Sequence, residues 1–227
     1  MRRYLSEFLS DKRVIDYPSW KWQPLLQLII LSKRPFSSGA AYKSIWNEEQ
    51  GESPLMTITK DQTAKITQAM ADRHGDRVMV DFCMRYGNPS TKSRVQNMIA
   101  AGCRKILFFP CHCQKTSRLL RERLGWDRSD ITTTFQSRFG PEEWLQPYTV
   151  EEVARLARSG KKNIAICAPA FSADCIETLE EINEEIRDSF IEAGGETFTY
   201  IPCLNDDDAH IAALAGVIDQ NLHGWID

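Results

Sequence analysis

Between Phe171 and Asp188 the chain concentrates ionisable side chains at regular spacing. Asp174, Glu177, Glu180, Glu181, Glu184, Glu185 and Asp188 stand there against a single base, Arg187. Glu177, Glu181 and Glu185 recur every four residues, so a helix stacks them along one face. Like charges at that spacing cost roughly a few tenths of a kcal/mol per pair. A cation, a proton or water could offset that cost. Carboxylates act as general bases, and they offer hard oxygen ligands to a divalent ion. The same row also describes the solvated face of an amphipathic surface helix. Ile176, Leu179, Ile182, Ile186 and Phe190 form the matching apolar stripe, and acids in a first turn suit the helix dipole. Spacing alone leaves both readings open.

The elements around this stretch must position it. A strand-like run, Asn163 to Pro169, precedes it, and Gly194-Gly195 ends it. The second half reads as a strand from Asp130 to Gln136, a helix from Val150 to Arg158, the Asn163 strand, the acidic helix, a strand from Phe198 to Ile201, and a closing helix from His210 to about Leu222. That alternation predicts an α/β fold with parallel strands. In the first half, residues 2–10 form a short amphipathic helix with Tyr4, Leu5, Phe8 and Leu9 inward. Val14 to Trp22 reads as a loop, and Pro24 opens a helix to about Leu31. A basic loop with Lys33 and Arg34 follows, then a helix from about Thr59 to Arg73. Val78 to Tyr86 and Arg104 to Phe109 read as buried strands joined by a helix that Ser90 or Thr91 caps, a βαβ unit. Arg85 and Tyr86 then lie at a strand's carboxyl end, where open α/β sheets place ligands. The halves meet near Pro110, giving lobes of 1–110 and 111–227. His74 and His223 read as surface residues.

Composition narrows the function classes. The chain has 227 residues, 42% of them hydrophobic, enough for real cores. A net charge of -3 gives no basic footprint for nucleic acid. The seven cysteines are odd in number and lack framework spacing, which suits a reducing cytoplasm. No run approaches membrane-spanning length, and no signal peptide opens the chain.

Particular strings carry a family resemblance. Phe171-Ser-Ala-Asp174-Cys-Ile-Glu177-Thr-Leu-Glu resembles the C-terminal motif of ferrochelatases, which insert ferrous iron into protoporphyrin. Lys33-Arg34, Tyr42 and the Gly-x-Ser53-Pro54-Leu55 turn resemble the segment lining that family's porphyrin mouth. Gln136-Ser-x-x-Gly140-x-x-x-Trp144-Leu-x-Pro147 resembles a long family loop, and the Pro202-Cys-Leu-Asn205-Asp stretch also matches. The resemblance implies two Rossmann-like lobes of chelatase type. It implies that Glu177 is catalytic and binds iron, with Asp174, Glu181 and Glu185 as a relay for iron or protons. Lys33, Arg34, Tyr42, Arg85, Tyr86, Gln136, Trp144 and Phe171 would hold the macrocycle and its propionates, an arginine pairing bidentately with a carboxylate. Iron enters as substrate beside protoporphyrin IX, and no organic cofactor is implied.

The chain also departs from that family. Pro110 runs directly into Cys111-His112-Cys113, a string resembling a stretch well downstream in bacterial ferrochelatases. The block between, with the active-site histidine of a His-Gly motif, has no counterpart, and the family's opening strand is missing before Met1. Where the family often has histidine after the Asp174 position, this chain has Cys175. Cys111 and Cys113 lack the second spaced pair that a structural zinc site uses, and an iron–sulfur cluster is not expected. Nothing in the spacing aims His112 at Glu177. The expectation is a cytoplasmic ferrochelatase impaired by the lost segment. The alternatives are a non-catalytic porphyrin- or metal-binding remnant, or an incomplete gene product. Oligomeric state and peripheral membrane contact stay open.

Overall fold

Leu5 and Leu9 lie one turn apart on the first helix, and both are buried. That row sets the helix down on its neighbours, as its apolar spacing requires. The computed structural model describes residues 1–12, 14–15, 17–107, 123–125, 127, 131–136 and 145–226. It divides into two compact units: Met1–Phe109 with Asp206–Asp227, and Pro110–Asn205.

In the first unit, α1 (Arg2–Ser10) packs on a long helical run. That run is α2 (Ser19–Leu25), a π-helical turn (Leu26–Ile30) and α3 (Leu31–Ser44). Leu26 and Leu31 are buried, and Trp22 Nε1 donates to the Leu9 carbonyl at 2.7 Å. The stretch around Trp20 and the basic stretch 32–39, expected as loops, are therefore helical. Pro24 and Pro35 lie inside helices, where proline removes a donor and crowds the preceding turn. A widened turn follows the first proline. Beside the second, Ser32 and Ser37 hydroxyls donate to the carbonyls of Ile29 and Arg34.

Helix α4 (Pro54–His74) starts on a Ser53 cap with proline in its first position. Helix α5 (Thr91–Ala100) starts on Ser90, one of the two caps foreseen. Val78 to Tyr86 and residues 104–107 were expected as strands. Among the described residues they enter no ladder beyond one bridge from Met84 to Ser90. Val78 and Val80 pack instead against a cluster of Met70, Ala215 and Leu222. Their apolar pattern reports burial, which does not require a hydrogen-bonded neighbour.

The second unit carries the sheet. Helix α6 (Thr149–Arg158) precedes β1 (Asn163–Cys167). A π-helix (Glu177–Ile186) continues into α7 (Arg187–Glu192) and leads to β2 (Thr197–Ile201). β1 and β2 pair in parallel, with Asn163 opposite Thr197 and Cys167 opposite Ile201. Parallel neighbours need such a crossover, and the chain is α/β. The core is Val153, Ala157, Ile182, Ile186 and Phe190, closed by Ile164, Ile166, Phe198 and Tyr200. Of the strand expected at 130–136, the described part holds one parallel bridge, Phe135 to Tyr148.

The closing helix, α8 (Asp208–Leu222), was expected in the second lobe and packs with α4. Ala215 and Leu222 bury against Met70, and Lys65 pairs with Asp206 and Asp208 at 3.1 and 3.0 Å. His74 is correspondingly not a free surface residue: its Nε2 lies 2.6 Å from Asp219. Among the described residues no helix is long and apolar enough to cross a membrane.

Two glycines give opposite expectations. A Cβ on Gly195 would stand 2.2 Å from the ring of Phe190, which is fully buried. Gly195→Ala should therefore lower stability by about 1–3 kcal/mol. Gly216 lies within α8 with nothing within 4 Å of its Cβ position. Gly216→Ala should raise stability by roughly 0.5–1 kcal/mol. Denaturant melts of both variants check the pair.

Candidate active site

The acidic stretch begins where β1 ends. Phe171 N donates to the Ala168 carbonyl at 3.0 Å, turning the chain away from the strand. Three residues on, Asp174 is 5% exposed as a residue, and its carboxylate is surrounded by donors. Oδ1 accepts from the Tyr200 hydroxyl, the Thr178 hydroxyl at 3.0 Å and the Cys203 amide at 3.3 Å. Oδ2 accepts from Asn205 Nδ2 at 2.8 Å. Burial pushes this carboxyl up, but the bonds from Tyr200, Asn205 and Cys203 outweigh it and hold it below the ordinary aspartate value. Asp174 is a charge sealed by its neighbours.

The helix that follows is π rather than α. Its closing bond runs five residues back, from Arg187 N to the Ile182 carbonyl. Ten residues of π-helix are unusual, since this form is rare and mostly confined to single turns. Thr178, Ile182 and Ile186 face inward, fully or nearly buried. Glu177 and Glu181, one position before two of them, are half-buried, and Glu185 is exposed. Gln136 Nε2 donates to the Glu177 carbonyl at 2.9 Å and reaches Glu181 Oε2 at 3.4 Å. Gln136, foreseen as a macrocycle contact, thus lies against two of the foreseen metal residues. Burial first, then the charges of Glu185, Glu181 and Glu184, push the Glu180 carboxyl up. Cys175 is buried, and burial followed by the Glu177 charge pushes its thiol up. Cys203 is pushed up to about 12, mainly by burial. These thiols are poor nucleophiles and poor metal ligands at neutral pH.

Glu177, Glu181 and Glu185 form a row, not a cage. Residues four apart on a helix stand on the order of 5–6 Å from one another. Among the described residues no group of three or more histidine, cysteine or acidic side chains is gathered to hold a metal ion. A row suits an ion that passes along it better than one held permanently.

The remaining foreseen residues of the described chain lie in the first unit. Lys33 and Arg34 are exposed on α3, and Tyr42 is half-buried near its end. Tyr86 donates to Asp11 Oδ2 at 2.8 Å and packs edge-on to Phe8. Arg85 stands over the Tyr86 ring and 3.6 Å from Asp11. Both are thus tied to the end of α1. Trp144, Cys111, His112 and Cys113 fall outside the described residues.

The sequence profile described as Ferrochelatase matches residues 1–112 and again 108–222. The chain belongs to the ferrochelatase family. A protein named ferrochelatase from Rhodobacter capsulatus is 52% identical over 311 aligned positions, spanning 100% of this chain and 89% of the relative. Ferrochelatases from Chelativorans sp. (strain BNC1) and Rhizobium etli (strain CIAT 652) are 39% and 38% identical, spanning 87% and 89% of their own lengths. Aligning 227 residues over 311 positions leaves at least 84 positions of the first alignment without a residue of this chain. The two profile matches overlap at 108–112, where Pro110 joins Cys111.

Residue spacing alone did not single out Thr178, Tyr200 and Asn205, whose side chains bond the Asp174 carboxylate. Thr178 is the one polar residue in the inward row of the helix. Asn205 lay within a stretch that resembles the family, without a role.

The sealed charge makes stability depend on pH in a definite sense. The folded Asp174 carboxyl lies below its ordinary value near 3.8. Its contribution is full above that value and is lost as pH falls through the folded one. Asp174→Asn should flatten the acid limb of a stability profile. At pH 7 it should cost about 1–3 kcal/mol, because the donors lose their ionised partner.

Proposed function

We propose that this chain acts on ferrous iron and protoporphyrin IX, with Glu177 as the residue that meets the ion. Ferrous iron plus protoporphyrin gives protohaem and two protons. Both pyrrole protons must leave as the metal enters, so a base is needed beside the macrocycle. Glu177 takes that part. Glu181 and Glu185 form the relay that delivers iron or carries protons off, and Asp174 holds the relay in place. Phe171, Trp144 and Gln136 contact the macrocycle, and Lys33, Arg34, Tyr42, Arg85 and Tyr86 serve its propionates and edge. Iron is substrate, no organic cofactor or iron–sulfur cluster takes part, and the setting is the cytoplasm. The net charge of -3 argues against a nucleic-acid partner.

One observation carries the reading. Glu177 and Glu181 stand half-buried on a π-helix at the carboxyl end of β1, held by Gln136 and started by a sealed aspartate. Half-buried carboxylates on a helix whose backbone is held in this way are preorganised for charge that arrives during the reaction. Glu177→Gln should weaken binding of Co²⁺, used as a divalent probe, at least about tenfold. Glu192→Gln, at the exposed end of α7, should leave it unchanged. Equal binding by the two variants would sink the assignment. Binding in the parent should weaken as pH falls and the carboxylates protonate.

The length difference from the relatives supports a second element of the proposal. The block absent between Pro110 and Cys111 includes the family's His-Gly segment, and the chain as it stands is a slow catalyst. General acid–base help is typically worth about 10²–10⁴ in rate. Anaerobic haem formation should therefore rise by about that factor when a relative's block is restored at this junction. A rate within a few-fold of the restored protein would overturn the impairment. No haem formation from either protein would favour a porphyrin- or metal-binding remnant.

A further inference from the structure

Asn205 is the one residue other than glycine with a positive φ, 47°, among the described residues. Asparagine tolerates that backbone better than most residues because its amide can satisfy nearby groups. Here the amide reaches across to a distant segment. Asn205 Oδ1 accepts from the Asp174 amide at 2.8 Å, and Nδ2 donates to Asp174 Oδ2 at 2.8 Å. Its own amide donates to the Ser172 carbonyl at 2.9 Å. One residue thus holds the lead-in to the π-helix by three bonds. Strained backbone of this kind persists where its surroundings over-determine it, and it collects at functional sites.

The bonds continue into the helix. Asp174 Oδ1 accepts from Thr178 Oγ1, and Thr178 Oγ1 accepts in turn from the Cys175 amide at 2.9 Å. The Cys175 carbonyl takes the amides of Thr178 and Leu179. Glu177 lies inside this closed loop of bonds, with its carbonyl pinned from outside by Gln136. We propose that Asn205 is a positioning residue for metal insertion. By clasping Asp174 at both its amide and its carboxylate, it fixes the first turn of the π-helix and hence the stance of Glu177. This deepens, and rests on, the assignment of Glu177 to the ion.

The pairing is directional, which makes it testable. N205D sets one carboxylate against another at the same shape and with a similar tolerance of positive φ. The double variant D174N/N205D rebuilds every bond of the clasp with the charge moved across it. The amide now at 174 donates to the carboxylate at 205, and its oxygen still accepts from Tyr200. N205G keeps the backbone conformation and removes the side-chain bonds. Hydrogen exchange of the full chain should show amides of residues 175–186 exchanging at least about tenfold faster in N205D. N205G should show a smaller rise, and the double variant should recover at least about threefold of the protection lost in N205D. Amides of α4 and α8 should not change in any of them. Co²⁺ affinity should follow the same order.

Parent-like exchange in N205D would overturn the proposal, as would a double variant no better protected than N205D. Faster exchange spread equally over α4 and β2 would also overturn it, since that marks general destabilisation. If N205D does not fold, N205G decides: unchanged exchange at 175–186 overturns the clasp. A parent that does not bind Co²⁺ would instead remove the Glu177 assignment and the word metal from the proposal, while exchange still judges the clasp itself.

Discussion

One buried negative charge ties the start of the acidic helix to β2 and the loop that follows it. An isolated carboxylate taken out of water is costly, and it survives there only when hydrogen bonds replace its hydration. Asp174 collects those bonds from four places: the helix it precedes, the strand β2, and the Cys203 and Asn205 positions of the loop after β2. The charge therefore ties together parts that are far apart in sequence. A neutral side chain there would leave the same donors with weaker reasons to converge.

This arrangement explains why the acidic helix carries repelling glutamates at little structural risk. The inward row of Thr178, Ile182, Ile186 and Phe190 anchors the element in the core, and the lead-in is fixed by Asp174. The glutamates lie off that inward row, Glu177 and Glu181 half-buried and Glu185 exposed. Their mutual repulsion, which adds to burial in raising the Glu180 carboxyl, is a small strain on a well-held element. Binding a cation would relieve it.

The sequence made the local signals legible. Ser90 marked a helix start and Gly194-Gly195 the end of the acidic helix, and the stripe through Ile182 and Ile186 marked its core face. Less legible was anything that depends on a partner. Val78 to Tyr86 looks like a strand because it is apolar, but pairing is a property of two segments. The widened turns at Leu26–Ile30 and Glu177–Ile186 leave almost no trace, since residues four apart share a face in either kind of helix. Lys33 and Arg34 read as loop residues because serine, glycine and proline surround them, yet serine hydroxyls can serve helix carbonyls. The Asp174 clasp was out of reach of spacing arguments because its donors come from residues about thirty positions away.

The return of α8 to α4 gives the chain a nested topology. The polypeptide leaves the first unit at Phe109, builds the second, and comes back at Asp206. A ribosome therefore releases the second unit's whole sequence before the first unit's last helix exists. Until then the Met70 cluster lacks Ala215 and Leu222. Synthesis must therefore carry the first unit past the whole second one before that cluster can be completed.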